Sequence, residues 1–189
     1  MKNKYYILRH GQTIHQTKKR GIVYYWPDDN PPVHLTKKGK KQIEKATKIL
    51  KNKKIDLIFS SDIFRTRQTA GIVAKELGLQ VKYDKRLRDI NWGIFQGKKS
   101  KEAWAYYSNP KEKFYKAPPL GENWNECKKR MLNVLKEIEK KYKNKTILII
   151  SHGDPLWLLE GAVKKIKKDE LLKQKVSDNY IKVGEIRKL

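Results

Sequence analysis

The sequence predicts an α/β fold: a three-layer sandwich with a mostly parallel central sheet, helices on both faces, and a small helical flap over the carboxyl edge of the strands. Three observations predict it. Short runs such as "IDLIFS" and "TILII" are predominantly apolar without alternation, as strands covered on both faces are. Stretches with an apolar residue every third or fourth position lie between them, which is the period of a one-sided helix. The 189 residues carry no internal repeat and no Ser/Gly linker, so residues 1–189 read as one domain around one core.

In chain order, residues 4 to 8 read as a buried strand. Residues 12 to 34 read as loop, with "WPDDNPP" from Trp26 to Pro32 as its stiff part. Thr36 reads as an N-cap, and the helix behind it places Ile43, Ala46, Thr47, Ile49 and Leu50 on one stripe. Ile55 to Ser60 is a second buried strand. A helix from about Arg65 to Leu77 follows and closes at Gly78. Leu79 to Tyr83 is a shorter third strand. Residues 98–120 are aromatic, charged and bounded by Pro118 and Pro119, and read as the helical flap inserted into the domain. Trp124, Cys127, Met131, Leu135, Ile138 and Tyr142 mark the clearest helix. Thr146 to Ile150 is a fourth strand, followed by a helix opened by Pro155. "YIKVGEI", Tyr180 to Ile186, alternates and reads as an edge strand.

Composition narrows the function classes. No run of about 18 apolar residues exists, so no membrane-spanning helix is expected. The N-terminal residues show no apolar signal segment, and the single cysteine, Cys127, excludes an internal disulfide. Both fit a cytoplasmic protein. The net charge of +25 favours anionic partners. Its lysines are spread from Lys18 and Lys19 to Lys188 rather than gathered in one block with stacking aromatics, so most read as solvated faces. Specific nucleic-acid binding is therefore not expected, while a small anion would still be drawn in. Oligomeric state is open.

Two of the four histidines, His10 and His152, each follow a buried strand and each precede a glycine, Gly11 and Gly153. Parallel strands bring both to the carboxyl edge, where open α/β sheets bind ligands. The glycines allow a sharp turn and close approach of a ligand. Arg9 sits beside His10, and Arg65 opens the helix after the second strand. Two guanidinium groups, two imidazoles and a helix N-terminus make a pocket for a dianion, and a phosphoryl group fits it better than a carboxylate. A neutral imidazole, with a reference pKa near 6.5, is a competent nucleophile when a hydrogen bond holds its other nitrogen. Surrounding cations favour that neutral form.

"LRHGQT", "HLTKKGKKQ", "SSDIFRTRQTA", "RLRDINWGIFQG", "PPLGENWNECKKR" and "SHG" follow one another from Leu8 to Gly153, and in this order they resemble the histidine phosphatase superfamily, which includes the cofactor-dependent phosphoglycerate mutases. The resemblance implies that His10 takes the phosphoryl group as a phosphohistidine. It implies that Arg9, Arg65 and His152 hold the equatorial oxygens. It also implies an acid that protonates the leaving alcohol and then activates water. The family usually has Glu where this chain has Asp89, Asn where it has Gln16, and often Trp-Glu-Gly where it has Phe95–Gly97. Asp89 is the candidate acid, Asp62 the fallback. Arg65 is preferred to Arg67 for the phosphate on the same basis. Gly11, Gln16 and Gly153 join the arginines as candidate substrate-binding residues.

A metal site from His10, His15, His34 and His152 lacks the usual ligand spacing, and adjacent arginines repel a cation, so no metal and no cofactor is expected. The expected partner is a small phosphorylated substrate. Three activities compete. One is a metal-independent phosphomonoester phosphatase, favoured because residues 98–119 are short and hold no arginine. The second is a cofactor-dependent mutase. The third is a weakly active relative that binds anions or nucleic acid through its charge.

Overall fold

The computed structural model describes residues 1–17 and 21–189. Strands β1 (Lys4–Arg9), β2 (Leu57–Ser60), β3 (Val81–Tyr83), β4 (Thr146–Ser151) and β5 (Ile186–Lys188) form one sheet in the order β3-β2-β4-β1-β5. The first four are parallel to their neighbours and β5 runs antiparallel to β1. Central β4 is apolar from Ile147 to Ile150 because neighbouring residues serve opposite layers. Ile147 and Ile149 join Tyr5 and Ile7 against α5 (Trp124–Lys141) and α6 (Gly153–Val163). Leu148 and Ile150 join Leu8 and Ile58 against α2 (Lys37–Lys51) and α3 (Phe64–Leu77). The mixed α/β architecture with a mostly parallel sheet is the one expected.

Helix α2 starts where Thr36 Oγ1 accepts from Gly39 N at 2.9 Å, and Thr36→Ala would cost about 1 kcal/mol. Its buried stripe is Gly39, Ile43, Ala46, Thr47 and Leu50. Ile49 is 54% exposed, contrary to expectation, because it sits one residue off that stripe. Gly78 closes α3 in the left-handed region at φ 65, as expected. Helix α5 opens with a full capping box between Asn123 and Glu126. The short α1 (Ile14–Thr17) lies inside the stretch expected to be loop, and residues 18–20 of that stretch, with Lys18 and Lys19, lie outside the described residues.

Three expectations are corrected. The last strand is Ile186–Lys188, not residues 180 to 186. The earlier residues serve the carboxyl edge instead: Ile181 O accepts from Arg9, and Gly184 N donates to the carbonyls of Arg9 and His10. Helix α6 begins at Gly153, two residues before Pro155. Helix α7 (Lys168–Lys175) was not expected, since its charged residues bury only Leu171. The flap contains α4 (Ser100–Ala105) and a 3-10 turn over Pro110–Phe114, with Tyr107 and Phe114 packed into the core. No helix among the described residues is long and apolar enough to cross a membrane.

Candidate active site

β1 and β4 are adjacent and parallel, with Arg9 opposite Ser151, so the residues that follow them emerge side by side. The His10 and His152 rings lie 5.3 Å apart between centroids, at a 61° angle. His10 Nδ1 donates to the Gly11 carbonyl at 2.8 Å. A carbonyl can only accept, so Nδ1 carries the hydrogen and Nε2 keeps its lone pair. Burial, then the charges of Arg65, His152 and Arg9, hold the His10 pKa well below its ordinary value. The ring is therefore neutral and nucleophilic. Burial is the first cause, ahead of the cations to which the sequence pointed.

His152 is fully buried. Its Nε2 lies 3.0 Å from Ser61 Oγ, and Ser61 Oγ already accepts from Ile63 N. The Ser61 hydroxyl proton is free to go to Nε2, which leaves Nδ1–H as a donor. Nδ1 has no hydrogen-bond partner and is 3.5 Å from Asp89 Oδ2. Burial, Arg65, Arg130 and Arg9 keep this ring neutral too.

Arg65 is buried, and its Nη2 donates to Asp89 Oδ2 at 2.9 Å while Nη1 has no partner. Arg9 is anchored at one end, with Nη1 donating to Ile181 O at 2.8 Å and its guanidinium 5.4 Å from the Tyr180 ring centroid. Arg9 Nε is a buried donor without a partner. Three donors are thus left over: Arg9 Nε, Arg65 Nη1 and His152 Nδ1. Buried polar groups are nearly always paired, so three beside one neutral imidazole mark a candidate ligand site. A cleft of about 320 Å³ is lined by Arg9, His10, Gln16, Tyr24, Arg65 and Asp89 among others; the fully buried His152 is not among its lining residues. Gln16 is exposed there, with its carbonyl oxygen accepting from Thr13 N and Oγ1. That orientation turns its amide donor away from Thr13.

The other predicted residues are placed differently. Neither Gly11 nor Gly153 is among the cleft-lining residues. A Cβ on Gly11 would come 2.6 Å from Gly39 O, so this glycine lets the histidine loop press against α2 rather than admit a ligand. A Cβ on Gly153 would meet the Tyr180 hydroxyl at 2.2 Å and Arg9 Cζ at 3.1 Å. The N-terminus of α3 is also occupied from within, because Phe64 N donates to Asp28 Oδ2 at 2.6 Å. Only the Arg65 side chain of that helix end serves the cleft. Asp62 forms a double hydrogen bond with Arg88, at 2.7 and 2.6 Å, and Arg67 lies over the Tyr83 ring. His34 lies against Phe64 and His15 binds Asp29, so the four histidines do not gather. No group of three or more His, Cys, Asp or Glu among the described residues could hold a metal ion.

Sequence reasoning missed two supports. Tyr24 lines the cleft with its ring 5.1 Å from the Arg65 guanidinium. Burial and then Asp89 push its phenol pKa well up, so it stays protonated. Arg130 donates to the carbonyls of Arg86, Arg88 and Asp89 and pairs with Glu122, which fixes the segment carrying Asp89. Helical position alone gave no sign of Arg130. Glu122 and Arg130 both stand in the "PPLGENWNECKKR" segment, which carried the signal without showing that they meet at the Asp89 segment.

The model of the histidine phosphatase superfamily (branch 1) matches residues 5–186. Over 163 residues the chain is 29% identical to a probable phosphoglycerate mutase, GpmB, of Erwinia tasmaniensis, spanning 84% of this chain and 73% of the relative. Among solved structures, YhfR of Bacillus stearothermophilus superposes with a TM-score of 0.79 at 28% identity, over 97% of this chain and 89% of that one. A mycobacterial glucosyl-3-phosphoglycerate phosphatase superposes at 0.77 over 97% and 88%, and at 22% identity this likeness concerns the fold alone.

Proposed function

The chain belongs to branch 1 of the histidine phosphatase superfamily, and from that premise we propose that it is a phosphomonoester phosphatase working through a phosphohistidine on His10. The observation that carries this reading is the set of three unpartnered buried donors beside a neutral imidazole. In the first step His10 Nε2 attacks phosphorus in line, the N–P bond forms and the P–O bond to the alcohol breaks. Arg9 Nε, Arg65 Nη1 and His152 Nδ1 donate to the three equatorial oxygens as charge spreads over them. Asp89 gives a proton to the leaving alkoxide. In the second step Asp89 takes a proton from water, the water oxygen bonds to phosphorus and the N–P bond breaks. Nucleophile and acid both end as they began. Arg65 engages the phosphoryl group through Nη1 while its Nη2 holds Asp89, so one guanidinium ties the bound phosphoryl group to the acid.

Hydrolysis is favoured over phosphoryl return by the flap. Its lysines at 111, 113 and 116 are spent on Asp169, on aromatic rings, and on Tyr106 O and Glu112 respectively, and Ser100 is its one cleft-lining residue among those described. A mutase needs cations there for a second anionic group. The likeness to a probable phosphoglycerate mutase favours that second reading. The test is hydrolysis of an aryl phosphate with His10→Ala as control, insensitivity to chelator, inhibition by vanadate, and acid-labile phosphate trapped on His10. A bisphosphate primer that converts the reaction to isomerisation would favour the mutase. Equal rates for the wild type and His10→Ala would remove both.

A further inference from the structure

A second cavity, of about 410 Å³, lies beside the cleft and shares His15, Ile22 and Tyr24 with it. Its walls include Ile14, Val23, Pro31, Pro32, Val33 and Leu35. Lysine and arginine make up 45 of the 189 residues, yet none is among the described residues that line it. Its one carboxylate, Asp29, is already used on both oxygens: Oδ2 accepts from His15 Nε2 at 2.8 Å and Oδ1 from Tyr25 N at 3.0 Å. A phosphate or carboxylate placed here would find mostly apolar walls, the neutral polar groups of Asn30 and Thr36 and the like charge of Asp29, with no lysine or arginine among the described lining residues to replace its hydration.

We propose that this cavity receives the alcohol half of the phosphomonoester, and that this alcohol is uncharged and largely apolar. The inference builds on the phosphatase reading of the cleft and adds the substrate class. The shared residues set the path: a phosphoryl group at His10 with its ester oxygen toward Asp89 can send its organic group past Tyr24 and His15 into the cavity. The surrounding positive charge draws in the phosphate, while the described cavity walls, with no lysine or arginine among them, select against a second anionic group on the same molecule.

The test compares three aliphatic esters: ethyl phosphate, 2-phenylethyl phosphate and 3-phosphoglycerate. The first two alcohols leave with similar difficulty, so a difference between them reports binding of the organic group. The phenylethyl ester should exceed the ethyl ester in kcat/KM by about tenfold or more, with the carboxylate-bearing ester poorest. Val33→Phe, which fills the cavity and touches no catalytic group, should lower kcat/KM for the phenylethyl ester about tenfold and leave the ethyl ester within about twofold. His34→Trp, at an exposed wall position, gives the same reading if Val33→Phe does not fold. Equal use of the ethyl and phenylethyl esters, a preference for 3-phosphoglycerate, or equal slowing of both esters by the filling variants overturns the proposal while leaving the phosphatase reading intact. Failure of all esters and of an aryl phosphate strikes that reading instead. The cavity is then judged by calorimetry with ethyl- and 2-phenylethylphosphonate: tighter binding of the phenylethyl compound upholds it, and equal or absent binding overturns it.

Discussion

Two buried regions of this chain hold nitrogen donors without hydrogen-bond partners. In the cleft these are Arg9 Nε, Arg65 Nη1 and His152 Nδ1. In the flap it is Lys113 Nζ, 3.7 Å from the Trp104 ring centroid, 4.1 Å from Trp92 and 4.7 Å from Trp124. The cleft donors come from different elements and lie around the His10 imidazole, and two of them belong to residues that line an opening, Arg9 and Arg65. The flap amine sits alone among aromatic faces, whose π electrons attract a cation without a hydrogen bond. An unpartnered buried donor therefore signals a ligand only when several converge on a shared opening. Burial lowers the Lys113 pKa to about 7, against the attraction of Asp154. The ring faces act in the opposite direction and favour the ammonium form.

The sharpest way to break the comparison is to remove the centre on which the cleft donors converge. His10→Ala should cost at least about 10⁴-fold in kcat on an aryl phosphate, whereas Lys113→Met should stay within about twofold; comparable losses would mean that the cage is part of the site. Next comes Asp89→Asn. It should slow an aliphatic ester about 100-fold more than an aryl ester, because only the poor leaving group needs the proton. Equal slowing would leave Asp89 as no more than the partner of Arg65. Third, phosphate at a hundred times its Kd should stabilise the wild type and Lys113→Met alike by about 2.7 kcal/mol in a thermal melt, and Arg65→Ala much less.

Smaller effects come from pH. His10 and His152 titrate well below their unfolded value of about 6.5, so below that pH the unfolded chain binds more protons. Stability should fall as pH drops through about 6, by up to ~1.4 kcal/mol per pH unit for each ring, and His10→Asn should remove one share of that slope in urea titrations. For Lys113 the window lies higher. Between about 7 and its unfolded value near 10.4, the unfolded chain holds a proton that the folded chain releases, so stability should rise with pH there. Lys113→Met should flatten that rise. An unchanged profile would show that the rings keep the ammonium charged throughout.

The parts of the molecule that the sequence disclosed are those where chemistry coincides with a local pattern. β1 and β4 are apolar runs that end in Arg-His-Gly and Ser-His-Gly, so strands, sheet edge and the meeting of two histidines could be read together. Thr36 and Gly78 were equally plain because capping uses residues within one turn. Tyr24 and the His15–Asp29 pair were not legible, since they lie in a loop without period and acquire meaning only through Arg65 and a second cavity. The alternation of residues 180 to 186 misled because Ile181 and Gly184 answer to Arg9 and His10 rather than to a neighbouring strand. Gly11 and Gly153 were singled out for ligand access, while their absent side chains admit α2 and Tyr180.

The contact between Arg9 and the Ile181 carbonyl spans 172 positions of sequence, and Gly184 grips the carbonyls of Arg9 and His10 from the same distant segment. During synthesis the first strand leaves the ribosome long before its clamp exists. The His10 loop acquires these contacts only after residues 181 to 184 have been made, so a nascent chain holds this imidazole without its clamp.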